Sequence, residues 1–308
     1  MLRAETRAEW HVKGKAMKNP TSVLRTGLLV CCVPILTGCG TLPTGRFIAF
    51  QTSTQDIVSK ASDTYARIEK LQGREMVIRA YSKDKLDSDS FAPIRDGKDF
   101  SIGPRLELRE YILGVIEKYA TALSALALKD YESDLDKASQ DLGASVKGLG
   151  ISSGNDIPMA AGVISTAVDE IARSLTFRLR KHALKEVMEK TQEPLGNLAT
   201  RLEQDQDLIK QFVGTIRIRV QTFSASVRPK FGTVERYKFD GEMGDMLLEI
   251  SAVEKALDGI SKAVVAIPPA HRDLLTSLDN NKQDLNSLRG LIAEAQRVQK
   301  FYRDLPQK

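Results

Sequence analysis

Residues 246–267, MLLEISAVEKALDGISKAVVAI, decide the fold. Met246, Ile250, Val253, Leu257, Ile260, Val264 and Ile267 recur at alternating steps of four and three. An α-helix turns once in about 3.6 residues, so this spacing lays all seven side chains along one stripe. A strand would alternate every second residue instead. The stripe averages one apolar position per 3.5 residues, the period of helices that pack side by side along their length.

Outward from this stretch the same pattern recurs. Downstream, "IPPAH" stops one helix and starts the next, because proline fits the first helical turn. The final helix follows Leu274, Leu278, Asn281, Leu285, Leu288, Ile292, Ala295, Gln299 and Tyr302. Asn281 is the one amide in that seam, and a polar seam residue can fix register or partner number. Upstream, "RPKFG" at 228–232 interrupts the pattern, and the chain to about 241 is expected to be irregular or a short helix. A helix over about 192–227 carries Leu195, Leu198, Leu202, Ile209, Phe212, Ile216, Val220, Phe223 and Val227, with Pro194 in its first turn. Another, about 157–191, carries Ile164, Val168, Ile171, Leu175, Leu179, Ala183 and Val187. "GLGISSGND" at 148–156 is a turn. A long helix over about 104–147 precedes it, with Leu113, Ile116, Ala120, Leu123, Ala127, Tyr131, Leu135, Ala138, Leu142 and Val146. Residues 82–103 form a polar break. The first helix, about 53–81, shows Ile57, Ala61, Thr64, Ile68, Leu71 and Ile78, interrupted by Glu75.

The front of the chain reads differently. Lys13, Lys15, Lys18 and Arg25 precede an uncharged run, Gly27–Leu36. About ten residues are too few to cross ~30 Å of hydrocarbon as a helix. A basic region, a short apolar region and small residues before a cut make a secretory signal. All three cysteines, Cys31, Cys32 and Cys39, lie here, and none follows. A disulfide framework in the body is therefore excluded. Leu36-Thr37-Gly38-Cys39 resembles the lipobox of bacterial lipoprotein precursors. The resemblance covers residues 17–40 and implies a diacylglycerol on the Cys39 sulfur and cleavage before it. By the same resemblance Gly40, standing where an aspartate would favour inner-membrane retention, implies the outer membrane, facing the periplasm, in a Gram-negative cell. Met17 opens a conventional precursor, whereas residues 1–16 are polar and hold the only tryptophan, Trp10. Translation is expected to start at Met17.

The whole chain carries 45 Lys/Arg against 40 Asp/Glu, formally +5. Six basic and two acidic residues lie in 1–38, so the chain from Cys39 onward has 39 against 38, or +1. That is not the electrostatic footprint of a nucleic-acid binder.

These observations predict an all-α, elongated, antiparallel bundle of about six long helices with coiled-coil-like packing. The expected divisions are a signal peptide (1–38), a lipidated tether (39–52) and a four-helix region (53–227). An irregular connection (228–241) and a C-terminal helical hairpin (242–308) follow, with short turns at 148–156 and 268–269.

Chemistry is sparsely marked. After residue 39 the chain has two histidines, His182 and His271, neither at metal-ligand spacing, and no HExxH. The pairs Asp134/Asp136 and Asp205/Asp207 lie two apart, on different helix faces, and read as solvated surface. No catalytic residue, metal site or cofactor is expected, and the chain reads as no enzyme. "MAAGVISTAV", 159–168, is uncharged and reads as a close-packed core helix, with Ala161 and Ser165 at small-residue spacing. Arg178, Lys181, His182 and Lys185 share a helix face and are the candidate contact with an anionic surface, with Glu186 and Glu189 as neighbours able to neutralise it. Arg217, Arg219, Arg228 and Lys230 form a second basic group. The reading is a lipid-anchored envelope protein whose helical faces bind another envelope protein or a second copy of itself. Two other readings are a membrane-active or immunity/lysis-type factor and a ligand- or cell-wall-binding module.

Overall fold

The computed structural model describes residues 42–82, 102–128, 132–149, 156–172, 180–280 and 284–303. Met1–Gly38 form a unit of their own, outside the described residues, and Cys39–Lys308 form a second. The second unit is an all-α bundle, with no strand among its described residues. Its helices are α1 (Thr44–Ser82), α2 (Gly103–Ala127), α3 (Glu132–Leu149), α4 (Asp156–Ala172), α5 (Arg180–Val227), α6 (Thr233–Val265), α7 (Ile267–Asp279) and α8 (Asn286–Arg303). A 3-10 turn, Arg228–Lys230, joins α5 to α6.

α1 corrects the expected tether. It begins at Thr44 rather than near 53 and runs 39 residues, about 58 Å. Buried Phe47, Phe50, Thr54, Ile57, Ala61, Thr64, Ile68, Leu71, Glu75 and Ile78 continue one seam without a missed step. Burial of Phe47 and Phe50 in the first turns outweighs the low helix propensity of Gly45.

The expected helix over 104–147 is two helices, α2 and α3. α2 ends at Ala127, and Leu128 turns extended, at φ −76° and ψ 157°. The Arg180 guanidinium donates to the Leu128 carbonyl at 2.6 Å, occupying a group a continuing helix would have used. The apolar spacing stays in phase across this break, so periodicity does not reveal it. α3 packs along α2 and against α4. Ala161, Ile164, Ser165 and Val168 of α4 are buried, as the core reading of 159–168 requires. No helix among the described residues is long and apolar enough to cross a membrane.

α5 corrects the expected boundary at 191–192. It runs 48 residues through Pro194. An interior proline costs about 3 kcal/mol in a helix. Thr191, Leu195, Leu198 and Leu202 are all buried around it, and burial of the three leucines outweighs that cost. The Thr191 hydroxyl also lies 2.8 Å from the Val187 carbonyl, one turn back along the same helix.

The diprolyl at 268–269 does not turn the chain. Gln206 reaches Leu257 of α6 at 2.7 Å, Gln192 reaches Pro268 at 3.3 Å and Lys185 reaches Asp279 of α7 at 2.6 Å. α6 and α7 thus follow one course antiparallel to α5. The ladder bridges the prolines: Ala266 N–H donates to the Lys262 carbonyl and Ala270 N–H to the Ala266 carbonyl, both at 3.2 Å. The chain reverses between α7 and α8, and Asn281 lies in that interval, outside the described residues. In α8 the buried positions are Leu288, Leu291, Ala295, Val298 and Tyr302, not Ile292 and Gln299. The phase shifts by one residue because the connection breaks the seam.

Two regions result. In the base, α2, α3, α4, α7 and α8 surround the first part of α1 and of α5. In the tip, only α1 from about 72, α5 from about 210 and α6 to about 254 run together among the described residues. Of the expected irregular stretch 228–241, only 228–232 is the turn of this tip; from Thr233 the chain is already α6. The four-helix region and the C-terminal hairpin share one continuous core.

Candidate interaction surface

The base is held by buried polar groups bonded to one another. Arg109 on α2 is fully enclosed. Its Nε donates to the Tyr65 hydroxyl at 2.9 Å, one Nη to the Leu202 carbonyl at 2.5 Å and the other to the Gln206 Oε1 at 2.8 Å. Gln206 in turn donates to the Leu257 carbonyl. One guanidinium therefore ties α1, α2, α5 and α6. Burial pushes the Tyr65 phenol up from its ordinary range, against the pull of Arg109.

A second node joins α2, α5 and α7. Gln192 Nε2 donates to the Pro268 carbonyl, so its Oε1 is left to accept from His271 Nδ1 at 2.7 Å. His271 Nε2 is then the acceptor, and the Tyr119 hydroxyl donates to it at 2.7 Å. Thr191 lies 2.5 Å from the same phenol and shares its one hydroxyl proton between that oxygen and the Val187 carbonyl. Burial lowers the His271 pKa to about 3, so the ring is neutral, and burial pushes the Tyr119 phenol upward. Asp205, expected at the surface, is buried beside Arg105 and Arg201, while Asp207 is exposed. The groups of the two nodes are enclosed and spend most of their polar atoms on neighbouring helices.

The sequence-predicted surface residues fare unevenly. Cys39, Arg178 and Asn281 lie outside the described residues. Lys181 and Lys185 both approach Asp279 of α7, at 4.0 and 2.6 Å, with exposed His182 on the same helix. The hydrogen bond that Lys185 donates to Asp279 holds the ammonium above its usual range and the Asp279 carboxyl below its own. This face is thus partly neutralised from across the bundle, which the chain order conceals. Glu189 also pairs with Lys185, whereas Glu186 pairs with Lys190. The second basic group is largely engaged. Arg217 binds Glu254, Arg219 binds Glu75, and Arg228 grips Asp240 with both Nε and Nη2.

Large apolar side chains are exposed in the base, at Ile48, Met159 and Val163, and more of them are exposed at the tip. Arg74 of α1 reaches Glu249 of α6 at 2.9 Å, and buried Glu75 receives Arg79 and Arg219 at 2.9 and 2.8 Å. The rings of Tyr81, Phe223, Phe239 and Phe231 follow one another at 5.7, 5.9 and 5.0 Å. Around this frame Val77, Tyr81, Ile218, Val234, Tyr237 and Leu248 are exposed. Three of them share α6: Val234 is 66% exposed, Tyr237 82% and Leu248 71%. Sequence reasoning missed them because it followed the core stripe, and these stand on the opposite face of the same helix. The signal was available: residues 234, 237, 241, 244 and 248 form a second stripe of period 3.5.

Fold and surface together define a class, an all-α bundle with a broad base and a slender, apolar-tipped end. Comparison with protein-family models, curated proteins and solved structures gives no match for the chain.

Proposed function

We propose that the chain is a lipid-anchored lipoprotein of the bacterial cell envelope that serves as a structural, protein-binding module, in the outer membrane facing the periplasm in a Gram-negative cell. Leu36-Thr37-Gly38-Cys39 supports the anchor. The observation that carries the interaction role is the course of α1. It starts five residues after Cys39, a span of at most ~18 Å, and ends about 58 Å further on, among Tyr81, Ile218 and Tyr237. Base and anchor are therefore neighbours, and Tyr237 and Leu248, the two most exposed large apolar side chains among the described residues, stand at the far end. Large exposed apolar side chains that share one helix face, as Val234, Tyr237 and Leu248 do on α6, mark interaction sites.

Two measurements test this. Incorporation of an alkyne-bearing fatty acid and membrane fractionation should both be lost in Cys39→Ala; membrane association unchanged in that variant removes the lipoprotein reading. A photo-cross-linking residue at Ile218 should yield protein adducts in cells, whereas one at Ile48, in the base, should not. Equal adducts at both positions would remove the special role of the tip.

A further inference from the structure

The outward face of α6 is self-complementary, and we infer that it pairs with α6 of a second copy of this chain, antiparallel, about a two-fold axis at Gly241. The inference deepens the interaction role proposed above by naming the partner for one of its surfaces. At about 100° per residue, positions 234, 237, 241, 244, 245 and 248 lie within roughly 60° of one line. That line is opposite buried Met246, Ile250 and Val253. Two features of the line have no use inside the molecule. Val234, Tyr237 and Leu248 hold out large side chains, all well over half exposed. Between them Gly241 and Gly244 occupy helix interior, where each costs about 1 kcal/mol relative to alanine. A Cβ at either would meet nothing within 4 Å, so no packing of this chain requires a glycine there. Glycines on an open face permit a second helix to approach closely.

The spacing selects the partner. A two-fold axis through 241 brings position n opposite 482 − n. Val234 then meets Leu248 of the second copy. Tyr237 falls in the hollow bounded by Gly241, Gly244 and Leu248 of the second copy, where the missing Cβ atoms make room for a ring. Charge follows the same symmetry. Lys238 is exposed on one flank of the line, and Glu242 and Asp245 are exposed on the same flank, C-terminal to the axis. An antiparallel pair sets each Lys238 against the acidic pair of the other copy. A parallel pair puts the two charged flanks on opposite sides of the seam and loses this match. An isologous contact needs this kind of reciprocity. The 15 residues from 234 to 248 give one helix crossing, at the small end of stable interfaces, ~1,200 Å² or less. The association is therefore weak in solution and strengthened where an anchor concentrates the chains.

Oxidative cross-linking of the full chain tests it, in a background carrying Cys31→Ala and Cys32→Ala with Cys39 kept. Gly241→Cys sits on the axis, and its open surroundings let it fold. It should give a disulfide dimer that the parent background does not. Lys255→Cys, on the same face but about 21 Å from the axis, should give none, because its two copies stand about 42 Å apart. Cross-linking at both positions means a parallel pair, and at neither means no α6 pair; either result overturns the proposal, as does a photo-cross-linker at Tyr237 that captures only other proteins. Lys238→Glu should lower dimer yield roughly tenfold, and adding Glu242→Lys with Asp245→Lys should restore it. Cross-linking at Gly241→Cys should survive Cys39→Ala at raised concentration, so loss of the anchor and loss of the dimer are read separately.

Discussion

The base and the tip solve the same problem, joining long helices, with different materials. In the base, Arg109, Tyr65, Gln206, Tyr119, Thr191 and His271 are shut away from water and bonded mainly to neutral partners. In the tip, Glu75 is enclosed but the cations that reach it, Arg79 and Arg219, keep contact with solvent. The farthest pair, Arg228 with Asp240, is on the surface. Enclosure raises the cost of an unmade hydrogen bond, because the orphaned group has no water to turn to. The base should therefore be rigid and unforgiving, and the tip tolerant. The tip's tolerance leaves its outer faces free to carry Tyr237 and Leu248, the two most exposed large apolar side chains among the described residues.

The largest expected effect is at Arg109. Arg109→Ala orphans Gln206, the Leu202 carbonyl and one side of Tyr65 at once, and should lower stability by about 3–5 kcal/mol. Urea unfolding followed by circular dichroism measures it, and a loss under about 1 kcal/mol would show that the node is not the clamp of the base.

Next is the pH dependence set by His271. Its folded pKa of about 3 lies below the ordinary 6.5. The neutral ring's contribution is complete above pH 6.5 and is lost as pH falls from 6.5 toward 3, because only the unfolded chain takes the proton there. The slope approaches ~1.4 kcal/mol per pH unit. Urea midpoints between pH 7 and 5 should fall in the parent chain and stay flatter in His271→Gln. Parallel profiles would place the titration elsewhere.

Glu75→Gln leaves Arg79 and Arg219 side by side without their shared carboxylate. Solvent contact of both arms limits the loss to about 1–2 kcal/mol. Hydrogen exchange should quicken in 72–82 and 214–224 and stay unchanged around Arg109; uniform change along the chain would deny that the tip opens independently. The smallest effect belongs to Arg228→Ala, whose exposed pair should leave the urea midpoint where it was. A clear shift there would mean that the tip is as interlocked as the base.

The helical class was readable because an apolar period of 3.5 recurs from Ile57 to Tyr302. Boundaries were not, and each miss has a physical source. Residues 44–52 looked like a tether because the burial of Phe47 and Phe50 that makes them helical is tertiary. Pro194 looked like a start because the cost of a proline is local, whereas the seam that overrides it is tertiary. Pro268 and Pro269 looked like a reversal because a first-turn proline is compatible with two helices in line as well as with a hairpin. Arg109 and His271 could not be identified as clamps, since nothing in chain order brings Arg109 to Leu202 or Tyr119 to His271. Asp279 could not be set beside Lys185 for the same reason. Glu75 was noticed only as an interruption, and its partner Arg219 lies on another helix.

The start of α8 carries a consequence for the order of folding. Its first amides, Ser287 N–H and Leu288 N–H, donate to the carboxylate of Asp273 on α7, at 2.7 and 3.2 Å. Most helical stability in proteins comes from tertiary packing, and this 18-residue helix also borrows its cap from a neighbour. α8 thus depends on α7 for the capping of its first turn. Until it arrives, Thr64 in the seam of α1 lacks the Tyr302 hydroxyl that closes over it. Replacing Asp273 should therefore appear first as a slow final phase in refolding, before any loss is seen at equilibrium.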